Sequence, residues 1–141
     1  MKRMVSIVCS MVLFAAVMMG CKKPAYEFSI NTDKNSYSPA MSSIRGITLS
    51  PSLKTEDKTF NLIYHWSTTS RGFLNTEGNT TTKEIKNKGE GVLWTAITDG
   101  GEKAEKSITI TLKLEDKGNG KVLAENRVVL EEKEASYWVK E

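Results

Sequence analysis

Apolar residues recur at every second position along most of this chain after residue 25, which is the period of a β-strand. The segment from Ile108 to Leu114 is the clearest case, because Ile and Leu alternate there with Thr and Lys. Such a strand buries one face and exposes the other. The same pattern predicts further strands over 26–30, 44–49, 60–67, 92–97 and 122–130. We expect Ser50-Pro51 to close the second of these, and a bulge near Glu125–Arg127 to interrupt the last.

Segments rich in Gly, Asn and Asp separate these strands and are typical of turns. They cover residues 31–36, 76–79, 88–91, 99–101 and 117–120. The segment after Asp116 resembles a calcium loop only faintly, because no bidentate acid closes it, and a hairpin turn is the better interpretation. For Glu131–Glu141 the sequence leaves open a helical turn or an extended end. Short strands between turns predict an all-β, antiparallel β-sandwich of about seven strands.

The N-terminus has a different pattern. Lys2 and Arg3 precede an apolar run from Met4 to Met19, which is shorter than the roughly 20 residues of a membrane-spanning helix and is typical of a secretory signal peptide. Its end, Met18-Met19-Gly20-Cys21, resembles the bacterial lipobox. That resemblance implies cleavage between Gly20 and Cys21 and a lipid on the Cys21 sulfur. A plain signal peptide with a chance cysteine, or a short anchor helix, is the alternative.

These observations predict three segments. Residues 1–20 form a lipoprotein signal peptide, residues 21–25 the lipidated cysteine and a short tether, and residues 26–141 an immunoglobulin-like β-sandwich domain. The expected location is the extracytoplasmic face of a bacterial cell membrane, either inner or outer. Lys22 and Lys23 lie where they would meet anionic lipid head groups, although they are equally well read as soluble flanking residues.

Composition changes this picture in two ways. Loss of Lys2 and Arg3 reduces the 20 basic residues to 18, against 17 acidic residues, so the mature chain carries a net charge of +1. A nearly neutral surface gives no electrostatic basis for binding nucleic acid. Of the two cysteines, Cys9 leaves with the signal peptide and Cys21 would carry lipid. We therefore expect no disulfide, and a fold held by its hydrophobic core.

A family resemblance runs over about residues 60–120. It is carried by His65-Trp66-Ser67, Gly72, Trp94-Thr95-Ala96, the strand from Ser107 to Leu114, Asp116 and Gly118. This pattern resembles bacterial immunoglobulin-like domains of the PKD-like kind. The resemblance implies a β-sandwich in which Trp66 is the buried tryptophan of the third strand. Because these are core and turn residues, they indicate a fold and not an activity.

Residue types that carry catalysis are scarce. His65 is the only histidine, which excludes a zinc site built on several histidines, and we interpret it as an outward-facing packing residue. The four aspartates lie in separate predicted turns or loops: Asp33, Asp57, Asp99 and Asp116. No Gly-x-Ser-x-Gly or Ser-x-x-Lys motif is present in the mature chain. The sequence therefore predicts a protein that is not an enzyme and needs no metal or other cofactor.

The leading hypothesis is a membrane-anchored, non-enzymatic immunoglobulin-like module that binds a protein or ligand near the membrane surface, with a protein as the expected partner. Its expected contact surface comprises the loops Ser67–Asn75 and Asp99–Lys106 and the tail, with Arg71, Phe73, Asp99, Tyr137 and Trp138 as candidate contact residues. Aromatic residues there serve protein or sugar recognition, or simply cap the sandwich ends. One alternative is a secreted protease inhibitor, since chagasin-like inhibitors share the fold, although their Asn-Pro-Thr-Thr-Gly and Arg-Pro-Trp motifs are missing here. The other is an accessory sensor subunit of a membrane protein.

Overall fold

The computed structural model describes residues 27–41, 45–54, 61–75, 80–96 and 105–140. Within these ranges the chain forms eleven strands and no helix. In chain order they are β1 (Glu27–Thr32), β2 (Ser36–Tyr37), β3 (Ile47–Lys54), β4 (Leu62–Thr68), β5 (Gly72–Leu74), β6 (Thr81–Thr82), β7 (Glu84–Asn87), β8 (Val92–Thr95), β9 (Ser107–Asp116), β10 (Val122–Lys133) and β11 (Ser136–Lys140). Accordingly, none of the described segments is a helix able to cross a membrane.

The strands of the described residues form two antiparallel sheets that pack face to face. One sheet has the order β1-β3-β8-β5-β6, and the other has the order β2-β11-β10-β9-β4-β7. This confirms the predicted all-β antiparallel sandwich, but with eleven strands rather than about seven. The strands missed by the pattern, β2, β5, β6 and β7, are two to four residues long. Such short strands contain too few residues to show an alternation of apolar and polar side chains. They form because their backbone pairs with that of longer neighbouring strands.

The buried side of β9 forms the centre of the core. Ile108, Ile110, Leu112 and Leu114 are all fully buried, while the residues between them are partly exposed. Strand β9 lies between β10 and β4, so its backbone is paired on both edges. The sequence prediction of one buried and one wet face is confirmed for this strand.

Two tryptophans fill the space between the sheets. Trp66 and Trp94 are both fully buried, which confirms the prediction that Trp66 is a core residue. The ring of Trp66 meets that of Phe73 edge to face, with centroids 6.5 Å apart. Because Trp66 lies on β4 and Phe73 on β5, this pair joins the two sheets across the core. The indole N–H of Trp94 donates a hydrogen bond to the carbonyl oxygen of Ser70 at 3.3 Å.

Two local predictions were wrong. Strand β3 continues through Ser50-Pro51 to Lys54 instead of ending there. Among the described strands, β3 pairs beyond Leu49 with β1 alone, because its pairing with β8 stops at Val92. A proline is tolerated at such an edge of a strand. The irregularity of β10 lies between Val122 and Ala124, not near Glu125–Arg127. This irregularity comes directly after the turn that precedes β10.

The sandwich has two distinct ends, which strand β10 connects. At one end, the turn 117–121 joins β9 to β10, and the N–H of Lys117 donates to the carbonyl oxygen of Asn61. Strand β1 begins in this half of the molecule, because the Asn126 side chain donates to the carbonyl oxygen of Phe28 at 2.8 Å. At the other end, β10 turns back into β11. Lys133 lies seven positions after Asn126, or about 23 Å along the strand.

Candidate functional site

The C-terminal part of the chain forms a hairpin. Lys133 pairs with Ser136, so only Glu134 and Ala135 make the turn between β10 and β11. Both have positive φ, 53° and 60°, as the two central residues of a type I′ turn require. This turn usually contains Asn-Gly, since side chains of other residues are strained at positive φ. The structure thus selects the extended tail, one of the two alternatives that the sequence left open.

The inner side of β11 fixes the hairpin to the core. Tyr137 is 4% exposed, and its ring lies edge to face against Trp94, with centroids 5.1 Å apart. On its other side it stacks on Tyr37 of β2 at 6.4 Å. The N–H of Val139 donates to the carbonyl oxygen of Asn35 at 2.8 Å. The next side chain along the strand, Trp138, therefore projects outward from a well-supported backbone.

Charged residues surround Trp138 on the outer face of the hairpin. Trp138 is 48% exposed and pairs in register with Glu131 on β10 and Ser36 on β2. The Glu131 carboxylate lies 2.9 Å from Lys140 Nζ and 3.3 Å from Lys133 Nζ. Hydrogen bonds from Lys140 and then Lys133 hold the pKa of Glu131 below its usual value. We call the following group the hairpin platform: Glu131, Lys133, Glu134, Ser136, Trp138 and Lys140.

An open depression lies on this platform. It has a volume of about 580 Å³ and is lined by Lys133, Glu134, Ser136 and Trp138. The Ser136 hydroxyl also donates to the Ser38 hydroxyl at 3.2 Å. The depression thus brings together an aromatic ring, a carboxylate, an ammonium group and a hydroxyl. This mixture can bind a polar ligand that also has an apolar face.

A second polar cluster lies on the outer face of the same sheet, around His65 of β4. His65 Nδ1 is 2.8 Å from Glu115 Oε1, and His65 Nε2 is 3.7 Å from Glu84 Oε1. Lys86 Nζ lies 3.4 Å from Glu115 Oε2. Hydrogen bonds from His65 and Lys86 lower the pKa of Glu115, against the opposing effect of its partial burial. The outward orientation predicted for His65 is confirmed, since its neighbour Trp66 points into the core.

This second cluster links three strands but forms no ligand cage. The two carboxylates lie against opposite nitrogens of the imidazole ring, so they do not converge on one point. Across the described ranges, no three His, Cys, Asp or Glu side chains are arranged to hold a metal ion. The cluster is best understood as a cross-strand network that ties β7 and β9 to β4.

The structure separates the candidate contact residues. Trp138 is exposed as expected, but Phe73 is fully buried and Tyr137 is 4% exposed, so the assignment of these two as surface contacts was wrong. Both point inward because each lies on a strand whose alternation places it against the core tryptophans. Arg71 is partly buried, with φ 63°, where the chain passes from β4 to β5. Asp99, Gly20 and Cys21 lie outside the described residues.

Sequence reasoning did not find the partners of Trp138. Lys133, Glu134 and Ser136 enter the site only because the chain reverses at Glu134–Ala135. A hairpin is recognised in sequence by Gly or Asn at its turn, and neither is present here. The one available signal was the alternation of Tyr137 and Val139 in an extended tail.

Comparison of the chain with protein-family models, with curated proteins and with solved structures finds no match. Any function for this protein must therefore be argued from its own residues and geometry.

Proposed function

We propose that the protein is a lipid-anchored, extracytoplasmic binding module that holds its hairpin platform away from the membrane and acts by non-covalent contact. The lipobox-like sequence ending in Gly20-Cys21 supplies the anchor in this proposal. Binding by surface contact suits a rigid sandwich with an exposed aromatic at one end.

One observation carries the proposal: β1 begins in the half of the sandwich opposite the platform. Phe28 is held beside Asn126. The platform begins at Glu131, five residues or about 16 Å further along β10, and Lys133 at the end of the strand lies about 23 Å from Asn126. Glu27 is six residues after Cys21, and six extended residues span at most roughly 22 Å. An anchor at Cys21 would keep the first end of the sandwich near the bilayer and direct the platform outward.

Two measurements test the proposal. Labelling with radioactive palmitate and membrane fractionation should show lipid on the wild type and its loss in Cys21→Ala. In the lipidated protein, a fluorophore on Lys117→Cys should be quenched by a head-group quencher more strongly than one on Lys133→Cys, since residue 117 lies at the anchored end. If Cys21→Ala still partitions with membranes and the wild type takes up no label, the anchor is refuted. Equal quenching at the two positions would refute the orientation.

A further inference from the structure

We propose that the hairpin platform binds a saccharide, which stacks on Trp138 and donates hydroxyl hydrogen bonds to Glu134. This inference names the ligand class of the site described above, and in that respect it rests on the proposed function.

The surroundings of Trp138 favour a saccharide over an apolar protein surface. The ring is 48% exposed, but its register partners are Glu131 and Ser36. The exposed apolar area is thus one ring within a polar frame, whereas the centre of a protein interface is depleted of charged residues. A sugar ring matches this arrangement, since it has an apolar C–H face and a rim of hydroxyl groups.

The charges of the platform favour a neutral ligand. Two carboxylates, Glu131 and Glu134, are balanced by the ammonium groups of Lys133 and Lys140. Glu131 lies within ion-pair distance of both lysines, so neither a phosphate nor a cationic ligand meets a surface of opposite sign. A carboxylate accepts and an ammonium group donates, and the hydroxyl oxygen of Ser136, whose proton goes to Ser38, can still accept. Sugar hydroxyls require both acceptors and donors.

The backbone of the turn points to Glu134 in particular. Its φ of 53° is strained for any residue with a side chain other than Asn or Asp, and strained positions concentrate at binding sites. Glu134 lines the depression, while Ala135 shares the positive φ without lining it. Replacement of Ala135 therefore changes the turn alone, and replacement of Glu134 changes the turn and the site together.

The test uses the full chain in a detergent without a sugar head group. Chitotriose, cellotriose and maltotriose are titrated separately while tryptophan fluorescence is followed. Trp66 and Trp94 are fully buried, so a saturable change reports on Trp138. We expect such a change with at least one trisaccharide, and affinity at least about tenfold lower in Trp138→Ala, measured by calorimetry. Val122→Ala, which alters an exposed apolar residue at the opposite end of β10, should bind as the wild type does.

Two turn variants separate binding from folding. In Glu134→Asn, asparagine is compatible with the positive φ, but its side chain is shorter and uncharged. The melting temperature of this variant should therefore stay the same or rise, while its affinity for the trisaccharide falls at least about tenfold. Ala135→Gly should raise the melting temperature and leave affinity unchanged. Unchanged affinity in Glu134→Asn would overturn the role of Glu134.

Absence of saturable binding by all three trisaccharides up to millimolar concentrations would overturn the saccharide proposal. So would a protein crosslink from Lys133→Cys that Trp138→Ala abolishes while no trisaccharide binds. If either of these results is obtained while the palmitate labelling and the quenching pattern are as expected, the saccharide proposal is refuted and the proposed function is not. Conversely, trisaccharide binding by a protein that takes no lipid would refute the anchor and keep the ligand class.

Discussion

Strand β10 joins two hairpin turns of opposite character. The turn before it, at 117–121, is made of residues suited to their positions: Gly120 adopts φ 70°, and the side chain of Asp116 accepts a hydrogen bond from the N–H of Gly118 at 2.7 Å. The turn after it, Glu134–Ala135, has two positive φ values and no glycine or asparagine. One strand thus connects a turn with favourable local chemistry to a turn with unfavourable local chemistry.

This difference shows where the fold tolerates strain. The hairpin at 134–135 is held by the packing of Tyr137 on Trp94 and Tyr37, so the core stabilises a conformation that the turn residues alone disfavour. The turn at 117–121 is formed by its local chemistry instead, through the positive φ of Gly120 and the hydrogen bond that Asp116 accepts from Gly118. The end that carries the hairpin platform is therefore the end where the turn residues differ from those that the backbone conformation favours.

The largest expected effect separates the core from the platform. Trp66→Ala removes a fully buried ring that joins the sheets and should destabilise the protein by about 3–5 kcal/mol, a large share of the roughly 5–15 kcal/mol typical of a domain. Trp138→Ala removes a half-exposed ring and should cost about 1 kcal/mol or less. Urea unfolding followed by circular dichroism measures both. Similar losses in the two variants would show that Trp138 supports the fold and is not a surface residue.

The prediction of Trp66 as a core residue succeeded for a physical reason. It shares the parity of Leu62 and Tyr64 in a long strand, and hydrophobic burial acts on every second residue of such a strand. The same reasoning located β9 and β8. It could not locate β2 or β6, because two residues show no period and their pairing depends on distant partners.

Gly120→Ala tests the favourable turn. Gly120 has φ 70°, and an added Cβ would have no atom within 4 Å, so any loss of stability comes from backbone strain and not from collision. We expect a loss of about 1 kcal/mol, measured by the shift of the urea midpoint. Gly118→Ala makes a useful comparison, since Gly118 has no positive φ and its added Cβ would instead lie 3.2 Å from the Asp116 carboxylate. If Gly120→Ala costs nothing, the positive φ of Gly120 is not what shapes the turn.

Ala135→Gly tests the unfavourable turn and should change stability in the opposite direction. Glycine relieves the strain of φ 60° but adds freedom to the unfolded chain, so the net gain should be about 0.5 kcal/mol. Differential scanning calorimetry would register it as a higher melting temperature. A lower melting temperature would mean that the alanine methyl group packs usefully at the tip, and the contrast between the turns would lose its basis.

The candidate site was harder to predict than the core. Trp138 was singled out as an aromatic in the tail, but so was Tyr137, and only the strand register shows that they point in opposite directions. That register depends on a two-residue turn without its usual residues. Glu134 consequently gave no sign of lying beside Trp138, since local sequence does not encode a turn that is held by remote packing.

The smallest expected effect concerns two carboxylates, one near each of the two turns, which differ in their exposure to solvent. Glu115, beside the first turn, is 15% exposed, and Glu131, near the second, is 31% exposed. Partners lower the pKa of each, His65 first for Glu115 and Lys140 first for Glu131. A carboxylate whose pKa is lowered by folding stabilises the protein above its ordinary value of 4.5 and loses this contribution as pH falls through the folded-state pKa. Glu115→Gln should therefore be less stable than the wild type at neutral pH, with a difference that shrinks as pH falls below 4.5.

In about 1 M salt, Glu131→Gln should lose its effect on stability, whereas Glu115→Gln should keep more of its effect, because screening acts most strongly on exposed pairs. Urea midpoints between neutral and acid pH measure this, with Glu105→Gln as an exposed control. A constant difference between wild type and Glu115→Gln across that range would show that the glutamine affects packing, and that the charge of Glu115 contributes nothing to stability.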